Sequence, residues 1–102
     1  MPKSIAQVVV GVPVEGPFDY ILPQEMEAAV TPGCRVLVPF GPRTAVGYVV
    51  GITKETTVTR IKAVAGIIDT QPLLDGPSLE LAKKLSEYYC CSWGEAIETM
   101  LY

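Results

Sequence analysis

The chain has 102 residues, no histidine and a net charge of −3 at pH 7. A chain of this length forms one domain with one core. Hydrophobic residues make up 49% and charged residues 19%, which excludes a disordered chain. No apolar run approaches the roughly 20 residues that span a membrane, and residues 5–14 lack the cleavage site of a signal peptide. We therefore expect a cytoplasmic protein with no membrane contact.

The composition also excludes most catalytic chemistry. Histidine, the usual acid–base group and metal ligand near neutral pH, is missing. Cys34, Cys90 and Cys91 have neither the C-x-x-C spacing of a zinc site nor the even number of a disulfide framework, so we expect buried, reduced thiols. A nucleophilic Cys90 or Cys91 would have no histidine as its base. With no glycine-rich nucleotide loop either, the sequence predicts a binding or structural module without a cofactor.

The first two thirds of the sequence predict β-structure. Strands are expected over residues 4–11, 18–22, 34–40, 44–53 and 60–68, separated by turns that contain Gly and Pro. Gly47 and Gly51 interrupt the fourth strand, where a strand bends or another backbone approaches closely. In the fifth strand, one face is expected to hold Ile61, Ala63 and Ala65.

Two helices are expected in the last third. Ser78 is the expected N-cap of the first helix, with Glu80 in the first turn, where the helix dipole favours an acid. A stripe at helical spacing would cover one end of the barrel, and its members are Leu79, Ala82, Leu85 and Tyr89. Gly94 is expected to separate this helix from a second one over residues 95–101.

Together these elements predict a mainly β fold with C-terminal helices. Short strands and Gly/Pro turns favour a small, strongly bent OB-like barrel, in the usual or a circularly permuted strand order, capped by one or two helices. We assign residues 1–70 to the barrel and residues 71–102 to the helical cap or connector, within one domain. The sequence ends on the apolar residues 100–102, so we expect a piece of a longer protein.

The charges are unevenly distributed along the chain. Residues 67–102 contain two basic and six acidic residues, whereas residues 35–62 contain five basic residues and one acidic residue. The basic segment would either line a nucleic-acid groove or form an ordinary solvated sheet face. Charge alone leaves both interpretations open.

Three short clusters are candidates for function: residues 16–20 (GPFDY), residues 38–43 (VPFGPR) and Lys62, which stands between apolar neighbours. Each also has a purely structural interpretation. Phe18 and Tyr20 would form one strand face with Asp19 pointing into solvent, and residues 38–43 would be an ordinary hairpin.

The order and spacing of the segments FDY, PGCRVLVPFG, GYVVGI, IKAV and LAKKLSEYYCCSWGE resemble the N-terminal DNA-binding domain of the PriA replication-restart helicases, the primosomal protein N′ family. The resemblance extends from about residue 8 to residue 101. It implies that the ATP-dependent 3′–5′ helicase region, with its ATP, magnesium and zinc sites, would follow residue 102. Gly16 and Pro17 depart from the family pattern, which is often basic or polar there.

The resemblance implies that the domain recognises the 3′ end of the leading strand at stalled or abandoned forks, through a pocket of Phe18, Asp19, Gly41 and Lys62. The Asp19 carboxylate would accept a hydrogen bond from a free 3′-hydroxyl and repel a 3′-phosphate. Backbone groups at Phe18 and Gly41 would meet a base edge without reading sequence, and Lys62 would contact the terminal base or a phosphate.

The partners implied are forked DNA with a free 3′ end and, for the full-length family, primosome proteins and single-stranded DNA-binding protein. An alternative from a different class remains open. In it, the domain is a protein-interaction barrel that docks a protein partner through its acidic helix face and the aromatic residues Phe18, Tyr20 and Phe40.

Overall fold

A computed structural model describes residues 4–101, and within them the fold is mainly β with two C-terminal helices, as predicted. The elements are β1 Ser4–Val10, β2 Phe18–Leu22, a 3-10 turn Gln24–Met26, β3 Arg35–Phe40, β4 Arg43–Thr53, β5 Gly66–Ile67, α1 Gly76–Tyr89 and α2 Trp93–Leu101. The first three residues of the predicted barrel segment and Tyr102 of the apolar C-terminal triplet lie outside the described residues.

The strands form one antiparallel sheet in the order β2-β1-β4-β3-β5, and residues 62–67 close it into a barrel. The Ile21 N–H donates to the Lys62 carbonyl at 2.8 Å, and the Val64 N–H donates to the Ile21 carbonyl at 2.9 Å. Directly afterwards, β5 pairs with β3. The segment therefore bonds to both β2 and β3, which are separated by two strands in the sheet.

The predicted strand over residues 60–68 is wrong in length, because only Gly66–Ile67 forms a strand. The segment changes partner in the middle: Val64 bonds to β2, whereas the Ala65 N–H donates to the Leu37 carbonyl of β3 at 2.7 Å. A segment that changes partner cannot form one continuous ladder. Val64 is buried, and Ala63 and Ala65 of the predicted apolar face are exposed.

Both faces of β1 are buried, and this explains its run of apolar residues. Val8 and Val10 point into the barrel, whereas Val9, opposite Tyr48 of β4, packs against the helices. The barrel interior contains Ala6, Val8, Val10, Tyr20, Leu22, Val30, Val36, Val38, Val49 and Val64. The second cluster, between the sheet and the helices, contains Val9, Tyr48, Leu74, Leu79, Ala82, Ala96 and Ile97.

The two glycines of β4 lie where neighbouring side chains come close. A Cβ on Gly47 would overlap the Val8 side chain, and a Cβ on Gly51 would overlap the side chain of Gln7. The register of β1 against β4 shifts between Gln7 and Val8, so Val50 is the additional residue of a β-bulge. The close contacts come from side chains of β1 and not from another backbone, apart from the Val9 carbonyl 3.5 Å from a Cβ built on Gly47.

Helix α1 begins at Gly76, before the predicted N-cap Ser78. Its N-cap is Asp75, whose side chain accepts a hydrogen bond from the Ser78 N–H at 2.8 Å. Hydrogen bonding from the side chain of Ser78, and then from its backbone N–H, lowers the pKa of Asp75. The prediction of Ser78 as N-cap is wrong because Gly76 and Pro77 already belong to the helix, and Pro is favoured in a first turn. Glu80 consequently lies beyond the first turn.

The predicted stripe of α1 is correct at its beginning and wrong at its end. Leu79 and Ala82 are buried and Leu85 packs against the second cluster, but Tyr89 is 68% exposed. Tyr89 borders an open cleft of about 340 Å³ between α1 and α2, and its ring stacks edge-on against Tyr88 at 4.9 Å. Ser86 is buried instead.

Gly94 lies inside α2, so the prediction that it separates the helices is wrong. A Cβ there would overlap the carbonyl of Val10, so the glycine lets α2 pack directly on the backbone that follows β1. Ser92 marks the boundary between the two helices. Its hydroxyl accepts a hydrogen bond from the Glu95 N–H at 3.1 Å, and Glu95 Oε1 accepts one from the Ser92 N–H at 3.0 Å. This reciprocal pair is a capping box.

All three cysteines are free, but only Cys34 is a buried thiol. Cys90, which follows α1 in the left-handed conformation with φ 55°, is exposed, and Cys91 is half-buried. Residues 4–101 contain no group of acidic residues or cysteines that could hold a metal ion. Neither helix in this range is long and apolar enough to cross a membrane.

Candidate functional site

A cleft of about 490 Å³ opens between β2, the β3–β4 turn and residues 57–62; we call it the β2 cleft. All four predicted site residues line it, and they are Phe18, Asp19, Gly41 and Lys62. The barrel thus brings together residues from three separate parts of the sequence. This shared location follows from the closure of the sheet, which places residues 62–64 beside β2.

Aromatic residues make the wall between β2 and β3. The rings of Phe18 and Phe40 meet edge to face, with centroids 5.5 Å apart. Tyr20 is buried and its hydroxyl donates to the Pro39 carbonyl at 2.8 Å; burial raises the pKa of Tyr20. Tyr20 is therefore part of the barrel core as well as of this wall. Phe18 and Phe40 are half-buried and pack against the core.

Asp19 is half-buried and does not point freely into solvent. Its Oδ2 atom accepts a hydrogen bond from the Thr56 hydroxyl at 2.5 Å. Asp19 also borders a second cleft of about 420 Å³, which we call the threonine cleft because Thr53, Thr56 and Thr57 line it. The carboxylate therefore stands between the two clefts.

Gly41 forms the two-residue turn between β3 and β4 together with Pro42. Its φ of 61° lies in the left-handed region, and a Cβ there would have no heavy atom within 4 Å. Glycine is thus favoured here by the backbone conformation and not by lack of space. Both turn residues are exposed, so the backbone of the turn is accessible at the rim of the cleft.

Two basic residues, Arg60 and Lys62, line the β2 cleft, and both are exposed. They belong to the basic segment identified in the sequence. The carbonyl of Lys62 is fixed by the Ile21 N–H, which places this residue next to β2. The cleft therefore combines one carboxylate, from Asp19, with two cations.

The remaining basic residues of that segment lie elsewhere. The Arg35 guanidinium donates two hydrogen bonds to the Asp69 carboxylate, at 2.8 and 3.1 Å, and the Arg35 backbone N–H donates a third at 3.1 Å. The guanidinium bonds are the main cause that lowers the pKa of Asp69. Arg43 and Lys54 are exposed outside the residues that line the cleft. Of the five basic residues in this segment, two therefore line the β2 cleft and three do not.

Sequence reasoning missed Arg60 and the threonines of residues 53–57. The Thr56 hydroxyl accepts from the Val58 N–H at 3.1 Å, and the Thr53 hydroxyl accepts from the Glu55 N–H at 3.4 Å. Such bonds to a backbone N–H two residues later are typical of threonine in turns. The stretch KETTVTR contained this signal, but nothing in it indicated that Asp19 would be the partner.

A further cleft, of about 580 Å³, lies between residues 15–17 and the helices. Lys83 lies over the Trp93 ring there, 5.4 Å from its centroid. Glu15 and Glu87 also line this cleft, so its charge suits DNA less well than that of the β2 cleft.

Comparison with known proteins assigns the chain to a family. Residues 7–102 match the profile described as the PriA 3′ DNA-binding domain. Replication restart protein PriA of Bacillus subtilis is 30% identical over 103 residues, which cover 96% of this chain and 13% of that protein. The PriA proteins of Treponema pallidum and Buchnera aphidicola are 29% and 28% identical, over 89% and 95% of this chain. The chain spans only 13–15% of the length of these curated relatives.

Proposed function

Since the chain belongs to the 3′ DNA-binding domain family of the PriA replication restart proteins, we propose that its β2 cleft binds the free 3′-hydroxyl end of a DNA strand, whatever the base sequence. The observation that carries the proposal is the composition of one cleft: a half-buried carboxylate, Asp19, beside the cations Arg60 and Lys62. DNA-binding surfaces rarely contain a carboxylate, because it repels phosphate. An acidic residue there requires a specific role.

A 3′-hydroxyl gives Asp19 that role. The hydroxyl donates a hydrogen bond, and an ionised carboxylate is a strong acceptor. A 3′-phosphate, or a strand that continued past the cleft, would place a second negative charge against Asp19. Because Asp19 is half-buried, water and salt screen this repulsion less than they would at an exposed site. The same residue therefore attracts a free end and rejects a blocked one.

The other walls of the cleft favour binding without sequence readout. The Phe18 ring offers an apolar surface, and the exposed turn at Gly41 offers backbone groups. Aromatic surfaces stack on any base, and specificity for one base requires side chains that match its edge pattern. Lys62 and Arg60 would neutralise the phosphates nearest the end. With so few cations, affinity should be modest for the domain alone.

In the full-length context, we propose that this end belongs to the leading strand at a stalled or abandoned fork. Residues 1–70 would hold the DNA end, and residues 71–102 would connect them to an ATP-dependent 3′–5′ helicase region. Primosome proteins and single-stranded DNA-binding protein are the further partners implied by the family resemblance.

Fluorescence anisotropy tests the proposal with two labelled oligonucleotides that differ only in a 3′-hydroxyl or a 3′-phosphate. We expect tighter binding of the hydroxyl end by about tenfold, the contribution of one charge-assisted hydrogen bond at a partly exposed site. Asp19→Asn should remove most of this preference. Glu80→Gln is the matched control, since it deletes one exposed acidic charge on α1 and should leave the preference unchanged.

Equal binding of both oligonucleotides by the wild-type domain would contradict end recognition. Absence of binding to either, even at low salt, would favour the alternative of a protein-interaction barrel. The structure weakens that alternative in one respect: Tyr20, one of its three aromatic residues, is only 5% exposed.

A further inference from the structure

Thr56 contacts the carboxylate at the centre of the proposed site. The Thr56 hydroxyl lies 2.5 Å from Asp19 Oδ2, although the two residues are 37 positions apart. The same hydroxyl oxygen lies 3.1 Å from the Val58 backbone nitrogen. Thr56 is half-buried, whereas Glu55 and Thr57 beside it are exposed.

These two contacts fix the direction of the hydroxyl proton. The Val58 N–H can only donate, so it occupies a lone pair of the Thr56 oxygen. The single proton of that hydroxyl then points to Asp19, whose ionised carboxylate only accepts. Hydrogen bonds arranged in such a chain, from Val58 through Thr56 to Asp19, polarise and strengthen one another.

The contact also distinguishes the two carboxylate oxygens. Thr56 lines the threonine cleft and not the β2 cleft, whereas Asp19 borders both. Oδ2 is therefore engaged on the side of the threonine cleft. Within residues 4–101 the Asp19 side chain makes no other hydrogen bond, so Oδ1 is the oxygen that remains for a ligand in the β2 cleft.

We propose that Thr56 is a positioning residue for 3′-end selection: it holds Asp19 Oδ2 on the far side, so that Oδ1 meets the terminal hydroxyl in the β2 cleft. This inference rests on the proposed function. A carboxylate already fixed in its binding orientation loses less freedom when the ligand arrives, which favours tight binding. Without Thr56, the carboxylate is free to rotate, and Oδ1 is no longer held in position for a free end.

The test compares Thr56→Val, which removes the hydroxyl and keeps the shape, with Thr56→Ser, which keeps the hydroxyl. The readout is the ratio of the Kd for a 3′-phosphate oligonucleotide to that for the 3′-hydroxyl oligonucleotide. We expect Thr56→Val to lower this ratio by about fivefold and Thr56→Ser to restore it to within about twofold of wild type, as the loss of one modest hydrogen bond implies. Thr53→Val is the control, because Thr53 lines the threonine cleft, does not line the β2 cleft and has no bond to Asp19.

If Thr56 had only a structural role, Thr56→Val would give a different result. The variant would have a lower melting temperature and would bind both oligonucleotides more weakly in the same proportion, so the ratio of the two Kd values would stay unchanged. In an Asp19→Asn background, Thr56→Val should have no further effect on the ratio, because Thr56 acts through Asp19. Thr56→Ala replaces Thr56→Val if that variant does not fold.

The two proposals fail in different ways. Equal binding of both ends by the wild-type protein contradicts the proposed function. A clear wild-type preference that persists unchanged in folded Thr56→Val, or an effect of Thr56→Val that persists in the Asp19→Asn background, overturns the role of Thr56 alone.

Discussion

The hydroxyl of Tyr20 donates a 2.8 Å hydrogen bond to the carbonyl of Pro39, and this bond joins two strands that are not neighbours in the sheet. Tyr20 belongs to β2 and Pro39 to β3, with β1 and β4 between them. Residues of both strands line the β2 cleft. This hydrogen bond therefore joins two of the strands that form the cleft.

Tyr20→Phe should lower the free energy of unfolding by about 1 kcal/mol, since it removes one hydrogen bond and leaves the Pro39 carbonyl without that donor. Urea denaturation measures the change. Tyr88→Phe is the control, because Tyr88 is 79% exposed and should not alter stability. Equal stability of Tyr20→Phe and the wild type would show that the bond does not help to hold β2 and β3 together.

Gly94→Ala should destabilise the fold by about 3 kcal/mol, because the new Cβ overlaps the Val10 carbonyl and α2 must move away from β1. Gly76→Ala is the matched substitution, since a Cβ at Gly76 meets no atom within 4 Å and alanine favours helix α1. Thermal unfolding of both variants measures the change in stability relative to wild type. A Gly94→Ala protein as stable as Gly76→Ala would contradict the direct packing of α2 on β1.

The Arg35–Asp69 pair should make the free energy of unfolding fall at low pH. Arg35 lowers the pKa of Asp69 below its usual value of 3.8, so the folded state favours the ionised carboxylate. This contribution is fully present above the usual pKa and is lost as pH falls through the lower pKa of the folded state. Asp69→Asn should cost about 1 kcal/mol at pH 7, a value reduced because Arg35 is partly exposed, and little at pH 2.

Urea unfolding of wild type and Asp69→Asn between pH 2 and 7 measures this difference. Glu80→Gln, on the exposed face of α1, serves as the control for the removal of one acidic charge. A constant difference between wild type and Asp69→Asn over the whole pH range would rule out the ionised pair as its source.

Arg60→Gln and Lys62→Gln should each reduce the salt dependence of DNA binding. A cation that neutralises one phosphate contributes about 0.7 to the slope of log K against log salt for single strands. Titrations at several salt concentrations give the slopes. Lys84→Gln, exposed on α1 outside the cleft, should leave the slope unchanged. If the Lys84 variant changed the slope as much as the others, phosphate contacts would extend well beyond the β2 cleft.

Much of the fold could be predicted because its signals are local. The turn at Gly41, the strand beginning at Phe18 and the helical spacing of α1 each depend on a few adjacent residues. The resemblance to the family then grouped Phe18, Asp19, Gly41 and Lys62, and the structure places all four on one cleft.

What could not be predicted depends on contacts between distant residues. The sequence of residues 60–68 predicts one strand. In the structure this segment bonds to β2 up to Val64 and to β3 after it, and the sequence contains no signal for this change of partner. Asp75 and Ser78 are equally suitable cap residues, and the residue types alone do not decide between them. The hydrogen bond from Thr56 to Asp19 joins residues 37 positions apart, and neither local sequence predicts it.

The closure of the sheet by residues 62–67 also protects the protein against self-association. A strand with unpaired backbone groups at the margin of a sheet is a template for pairing with another molecule. Here both β2 and β3 are covered by the same short segment, through Ile21 on one side and Leu37 on the other. A version shortened before residue 62 would expose both margins at once, so that aggregation, and not only loss of the cleft, would follow from the truncation.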